Sequence, residues 1–419
     1  MNAVHTLSLA LTLMFAANAR ADYLPDPAAA EAALRASPMV AQARGEFAAQ
    51  SLRSESLRNG REEWTLNADA LQRRIDAPRD RYAEWGVALS RPLRMPARAA
   101  ADHALAGALT AHAEASLGEA MHESGRQLLT LWFAWLGETS QTKLWRAQVA
   151  LADQQLATVN ARIRLGEAPR SERVNAEAAL AQARLQQQQA ATREQQARSR
   201  LLAQYPGLPV TADDSLPQPA QPSGTADDYA GAVLAHDHEL ARVRRQADML
   251  RAEARQLASR RSVDPNVGVF YKNEMGGNEH LLGVSVGLTL PGPARRTDQR
   301  AAEQLSMTAQ DAAIRLEQRL RQEARTNFET AVAEAANWQQ ADRAARALAE
   351  AAQLSARAYS LGEGSLDQVL VNRRLALEGQ LAAQRAQLDA LSAQARLKLD
   401  SHQLWPLDVD AGDDAHAHP

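Results

Sequence analysis

Apolar and polar positions along the chain follow two periods, and the switch between them occurs twice in the same order. Ala28 to Asn59 is rich in Ala, Arg, Glu and Ser and predicts helix; the period then falls to two. Trp64, Leu66, Ala68 and Ala70 alternate with Thr65, Asn67 and Asp69, and Trp85, Val87, Leu89 and Leu93 with Gly86, Ala88 and Ser90. This predicts strands over about 62–73 and 84–93. A helical period returns from Arg98 to Ile163, followed by a Leu-Gly-Glu turn and a helix from Ser171 to Gln204. The second half repeats the plan. Val267, Val269 and Tyr271 alternate with Asn266, Gly268 and Lys272, and Leu282, Val284, Val286, Leu288 and Leu290 with Gly283, Ser285, Gly287 and Thr289. Strands are predicted at about 264–272 and 281–290, a long helix at 295–360 and a return helix from Ser365 to Gln403. Asp76 to Tyr82 and Asn273 to His280, rich in charge, Asn or Gly, are expected to be the hairpin loops.

Local sequence matches support a duplication. Gly86-Val-Ala-Leu-Ser-Arg-Pro92 aligns with Ser285-Val-Gly-Leu-Thr-Leu-Pro291, Pro96-Ala-Arg98 with Pro293-Ala-Arg295, and Leu165-Gly-Glu167 with Leu361-Gly-Glu363, all at an offset of about 200 residues. The expected organisation is a first repeat at 22–204, a linker at 205–227, a second repeat at 228–404 and a polar tail at 405–419. The segment Tyr205 to Gly224 holds five of the 17 prolines.

The two long helices have no internal proline, and at about 1.5 Å per residue each is a rod of roughly 100 Å. Their apolar residues recur mostly every three, four or seven positions, with alanine between them, which suits close helix packing in coiled-coil walls. Composition agrees with walls rather than a thick core: 4% of the 419 residues are aromatic, and isoleucine occurs only at Ile75, Ile163 and Ile314. There is no cysteine, which excludes disulfides, thiolate metal sites, a Cys nucleophile and a lipid-bearing N-terminal Cys. With 47 basic and 50 acidic residues the net charge is -3, so nucleic acid is not an expected partner.

Residues 1–21 read as a signal peptide, with an apolar run from Leu7 to Ala16 and Ala19-Arg20-Ala21 as the cleavage motif. An exported chain without a long apolar helix is either soluble in the periplasm or inserted as strands. The four predicted strands have about the length needed to span a bilayer. Four strands do not close a barrel, since single-chain barrels begin at about eight, and an open edge in lipid leaves backbone groups unpaired. Strands in lipid must therefore be shared among several copies. A shared barrel continued by long helices is a conduit.

The duplicated helix–strand–strand–long helix–turn–helix order, the Pro-Ala-Arg after the second strand, and Tyr359-Ser-Leu-Gly-Glu-Gly-Ser365-Leu-Asp-Gln-Val-Leu370 together resemble the TolC family of outer-membrane efflux proteins. The resemblance covers essentially the whole mature chain. It implies a mainly α fold with a small antiparallel β part: a homotrimer whose twelve strands, four per chain, form one outer-membrane barrel, continued by a periplasmic α-helical barrel. It further implies a periplasmic adaptor protein and an inner-membrane RND pump as partners, outer-membrane lipid around the strands, and most of the chain in the periplasm. Overall likeness is greatest to the heavy-metal, CzcC-like branch, which exports cobalt, zinc, cadmium or nickel. The adaptor-contacting helix tips would be Leu165, Gly166 and Glu167, and Leu361, Gly362, Glu363 and Gly364. Asp367 is the nearest match to an acidic periplasmic gate, with Gln368 at a position where the family can carry a carboxylate. A turn with a solvated Asp at the helix start accounts for the same residues without a gate.

No other motif competes. There is no Gly-rich phosphate loop, no H-E-x-x-H and no G-x-S-x-G, so no enzyme, cofactor or resident metal is expected. His236 and His238 would face different ways on a helix, His103, His112 and His122 are nine and ten apart on the long helix, and His416 and His418 lie in the polar tail. None of these spacings makes a site. Trp132, Phe133 and Trp135 are expected to pack between helices. The alternatives to a metal-efflux duct are a channel for drug efflux or type I secretion, or a soluble periplasmic coiled-coil scaffold.

Overall fold

A computed structural model describes residues 23–60, 62–211, 216–263 and 265–407. The leader at 1–21 and tail residues His416 and His418 lie outside the described residues. In chain order the elements are α1 (Pro27–Arg35), α2 (Pro38–Asn59), β1 (Thr65–Asp76), β2 (Arg79–Pro92), α3 (Pro96–Arg164), α4 (Arg170–Gln204), α5 (Ala226–His236), α6 (His238–Ser259), β3 (Pro265–Glu274), β4 (Glu279–Leu288), α7 (Ala294–Ser360) and α8 (Leu366–Asp400). A single 3-10 turn, Met275–Gly277, joins β3 to β4.

Caps place the helix breaks. The first helical stretch divides because Ser37 accepts from the Val40 amide at 3.4 Å and Pro38 takes the first helical position, where its missing N–H costs nothing. The stretch before β3 divides likewise at Asp237, whose carboxylate accepts from the Leu240 amide at 2.6 Å. The long helix α3 starts at Pro96, two residues before the Arg98 expected from the pattern, with the proline again in the first turn. α3 has 69 residues and α7 has 67, so each is about 100 Å long at 1.5 Å per residue.

The four strands form one antiparallel sheet in the order β1-β2-β3-β4. β2 and β3 are adjacent although four helices separate them in sequence. The helix order explains this: α2 leads into β1, α3 leaves β2, α6 leads into β3 and α7 leaves β4, and the side-by-side contacts α2–α3, α3–α6 and α6–α7 repeat the strand order. The helical wall thus continues the sheet. Beyond it, α3 packs with α4 and α7 with α8. The first hairpin differs from the expected loop: the ladder continues to Asp76↔Arg79, leaving only Ala77 and Pro78 outside it, because the backbone pairing does not depend on apolar side chains.

The main core is a knot between the sheet and the far helix ends. Trp132, Phe133 and Trp135 of α3 meet Tyr23, Leu34, Tyr205, Leu391, Leu399, Trp405 and Leu407 there. The polar ends of the aromatics are satisfied: Trp132 Nε1 donates to the Tyr23 carbonyl at 2.8 Å, and Tyr205 Oη donates to the Ser124 carbonyl at 2.6 Å. Among the described residues no helix is long and apolar enough to cross a membrane.

Candidate functional site

The sheet register sorts its residues onto two unlike faces, because directly paired residues share a face and neighbours along a strand alternate. One face reads, row by row, Leu66–Leu89–Val269–Val284, then Ala68–Val87–Tyr271–Leu282, then Ala70–Trp85–Asn273–His280. Its aliphatic side chains are open: Leu282 is 83% exposed, Val284 79% and Leu66 71%. A continuous apolar patch of this kind marks a contact with lipid or another protein. Aromatic side chains border it at both ends. Trp85 and Tyr271 meet at 5.6 Å near the hairpins, with the Tyr271 hydroxyl 2.8 Å from His280 Nδ1, and Trp64 lies under the Arg91 guanidinium at the helix end.

The opposite face holds most of the charged and small residues of the sheet, with Leu71, Ala88, Phe270 and Leu281 among them. Arg73 pairs with Glu84 at 2.8 Å and with Glu274 at 3.0 Å, and the Met275 amide donates to Glu84 at 3.2 Å. Asp69, Ser90, Lys272 and Ser285 share this face with Gly86, Gly268 and Gly283. The glycines make room: the Asp69 carboxylate lies over Gly86 and the Phe270 ring over Gly283. The strands β1 and β4 each have a neighbour on one side only.

At the far end of the long helices the two predicted tips are built alike. Gly166 (φ +75°) and Gly362 (φ +82°) take the left-handed conformation after α3 and α7, and the next amides, of Glu167 and Glu363, reach back to the carbonyls of Arg162 at 2.9 Å and Ala358 at 3.0 Å. This closes each helix end with a Schellman bond and reverses the chain. Leu165 and Leu361 are 72% and 67% exposed. Gly364 has no left-handed φ; its position is tight because a Cβ there would come 3.3 Å from the Tyr359 nitrogen. Ser365 caps α8 through the Gln368 amide at 3.3 Å, and Asp367 lies in the first turn.

The structure joins these two tips through Arg162, Glu172 and Asn175, to which the sequence pattern assigns no role, together with Tyr359 and the gate candidate Asp367. Arg162 of α3 donates to the Tyr359 carbonyl at 3.1 Å and lies 4.4 Å from the centre of its ring. The Tyr359 hydroxyl donates to Glu172 of α4 at 2.6 Å, and Asn175 reaches Asp367 at 3.4 Å. Burial, followed by the Glu172 carboxylate, pushes the Tyr359 phenol up to about 12. Beneath them Val159, Ala176, Leu366 and Val369 form a small apolar core with Tyr359. Gln368 bonds Asn372 one turn on in its own helix, at 3.1 Å.

The histidines are arranged by packing across the fold rather than by spacing in the sequence. Spacing along α3 alone keeps them apart, but tertiary packing gathers a different set: His122 from α3, His236 and His238 from either side of the α5–α6 break, and His402 after α8. Ring centres are 5.5 Å apart for His122–His402, 5.8 Å for His122–His238, 4.9 Å for His238–His402 and 5.7 Å for His236–His402. Asp400 lies 3.7 Å from His122 and accepts from Arg126 at 3.0 Å and Arg396 at 2.7 Å. Burial, and then the nearby Arg126 charge, hold His122 down to about 3; burial lifts Glu119, one helical turn away, to about 7. Only long-range contacts bring these residues together, so no local motif signals them. Among the described residues no group of three or more His, Asp or Glu could hold a metal ion.

No protein-family model and no curated protein matches the sequence. Solved structures match along nearly its full length, and they define the fold as TolC-like. A membrane protein from Pseudomonas aeruginosa superimposes with a TM-score of 0.71 at 16% identity, covering 93% of both chains. The Campylobacter jejuni CmeC outer membrane channel gives 0.71 at 12% identity, over 91% of this chain and 86% of that one. The open state of the Neisseria gonorrhoeae MtrE outer membrane channel gives 0.62 at 19% identity, over 93% and 92%.

Proposed function

We propose that the chain is one protomer of a trimeric outer-membrane channel, the passive exit duct of a tripartite efflux system. The observation that carries this reading is the sheet: one exposed apolar face bordered by aromatics, one polar face, and two strand edges open for pairing. In lipid an open edge is costly, and pairing β4 of one copy with β1 of the next removes it. Three copies give twelve strands, a barrel of ordinary size. The likeness to outer-membrane channels agrees.

The apolar face then meets outer-membrane lipid, the polar face lines the water-filled lumen, and the long helices extend into the periplasm as an α-helical barrel. The tips with exposed Leu165 and Leu361 meet an adaptor, which connects the duct to an inner-membrane RND pump that supplies the energy. Asp367, beside the narrow end, would attract cations in a threefold ring. Sequence likeness favours divalent cobalt, zinc, cadmium or nickel as cargo, with drug efflux or secretion as the other use of such a duct. In either case the protein has no catalytic role.

Fractionation and electrophoresis test the reading. The protein should sediment with the outer membrane and run as a heat-sensitive trimer. Recovery as a soluble monomer would instead identify a periplasmic scaffold. Deletion should raise sensitivity to these metals and leave detergent and dye tolerance nearly unchanged; the reverse would assign the channel to drug efflux.

A further inference from the structure

The outward face of the first hairpin carries a charge arrangement that the channel reading leaves unexplained. Beyond the Ala70–Trp85 row, the same face continues with Gln72–Ala83, then Arg74–Arg81, then Asp76–Arg79. Arg74 and Arg81 are therefore direct cross-strand neighbours of like charge, an arrangement that destabilises a sheet unless an anion lies between or above them. Of this pair only Arg74 forms an ion pair among the described residues, with Asp76 at 3.1 Å, and that carboxylate, which also lies across the ladder from Arg79, is 85% exposed. Arg79 and Arg81 are exposed and make no ion pair among the described residues. The lumen side contrasts with this, since Arg73 at the same height is neutralised by Glu84 and Glu274.

Position identifies the counter-anion. The long helices leave from the opposite ends of β2 and β4, so this hairpin points away from the periplasm. Arg81 is four residues beyond Trp85, about 13 Å along the strand at roughly 3.3 Å per residue. The aromatic belt marks the level where acyl chains give way to head groups, so the guanidinium groups stand among the head groups. We propose that Arg74, Arg79 and Arg81 form a binding site for the phosphate head groups of outer-leaflet lipid. Guanidinium forks take phosphate oxygens in pairs, and the apolar face below supplies the surface for the acyl chains of the same molecule. The site rests on the reading of the sheet as a lipid-facing barrel wall.

The test uses the purified full-length protein in detergent, with lipid A, phosphatidylcholine and inorganic phosphate as separate probes and Trp85 as a nearby fluorophore. Lipid A should bind and phosphatidylcholine should not compete. R74Q/R81Q should weaken lipid A on the order of tenfold or more, R74K/R81K should keep most of the binding, and inorganic phosphate should not displace it. Unchanged lipid A affinity in R74Q/R81Q, equal binding of phosphatidylcholine, or full displacement by inorganic phosphate would each overturn the site. Assembly is read first, by fractionation and the heat-sensitive trimer band. A wild-type chain that fails to assemble removes the channel reading and this site together, whereas an assembled trimer with unaltered lipid binding removes the site alone.

Discussion

Arg162 and Tyr359 meet across the duplication: the guanidinium stands 4.4 Å from the ring centre and donates to the tyrosine carbonyl at 3.1 Å, binding the end of the first long helix to the end of the second. Each helix pair needs a turn to reverse, and the glycines provide that. Holding the two turns side by side requires contacts between them, and the Arg162–Tyr359–Glu172 chain provides two hydrogen bonds and one ring contact from three helices.

Removing one link should loosen the tip and leave the rest of the protein intact. In Tyr359→Phe the hydrogen bond to Glu172 is lost while the ring under Arg162 stays, at a cost of about 1–2 kcal/mol. Amide hydrogen exchange should accelerate around residues 160–175 and 356–370 and nowhere else. Arg162→Ala removes both the ring contact and the carbonyl bond and should accelerate it further. Exchange at the tips as slow as in the wild type would show that the apolar core of Val159, Leu366 and Val369 holds them unaided.

The histidine knot predicts two opposing pH dependences in one pH range. His122 titrates near 3 in the folded chain against an ordinary value of 6.5, so between these the unfolded chain binds more protons and stability falls as pH falls. Glu119 titrates near 7 against 4.5, so across that window the folded chain binds more protons and stability falls as pH rises. In the wild type the two offset one another. Glu119→Gln should leave the histidine slope, giving a Tm that climbs from pH 4.5 to 7. In His122→Asn it should decline over the same range. Parallel profiles for the two variants would contradict the assignment.

The elements were legible in the sequence to very different degrees, for physical reasons. Strand alternation is local, and Leu282, Val284, Val286 and Leu288 announce β4 because every second residue shares one environment. The long helices are equally plain, since nothing between Pro96 and Gly166 interrupts them. The hairpin tip was less plain: Arg74 and Arg81 look like loop residues, yet they stay in the ladder because their side chains face outward and the backbone pairing continues above the apolar band. The helix breaks at Ser37 and Asp237 were encoded by caps within otherwise continuous helical composition. The tip network and the histidine knot depend on residues 197 and up to 280 positions apart in sequence (359 minus 162, and 402 minus 122), so they emerge only once the two halves are packed.

Glycines on the polar face of the sheet should not be interchangeable. At Gly268 a Cβ would come 3.0 Å from the Leu89 carbonyl oxygen and 3.0 Å from Ser90 Cβ, so the obstruction includes backbone that no rotamer change relieves. Gly287 has its nearest neighbour at 3.8 Å. Gly268→Val should destabilise the sheet by about 1–3 kcal/mol and lower the temperature at which the proposed trimer dissociates, while Gly287→Ala should leave it near the wild-type value. Equal melting of the two variants would mean that β2 and β3 are not held at this separation in the assembly.

A single pair of substitutions asks which face of the sheet meets lipid. Val284 and Ser285 are consecutive, so they point to opposite faces, and both lie in the middle rows of β4. Val284 belongs to the row with Leu66, Leu89 and Val269, well away from the aromatic belts at either end. If the apolar rows face lipid, as proposed, an arginine there places its charge near the middle of the hydrocarbon layer, at a cost of about 2–4 kcal/mol. In the proposed channel Ser285→Arg places the same charge in the water-filled lumen beside Gly268, where desolvation is slight but the bore narrows. Val284→Arg should therefore reduce the amount of trimer recovered from the outer membrane, and Ser285→Arg should leave recovery nearly unchanged while lowering single-channel conductance. If instead Ser285→Arg blocked assembly and Val284→Arg did not, the faces would be reversed, and the apolar rows would have to be buried against another protein rather than against lipid.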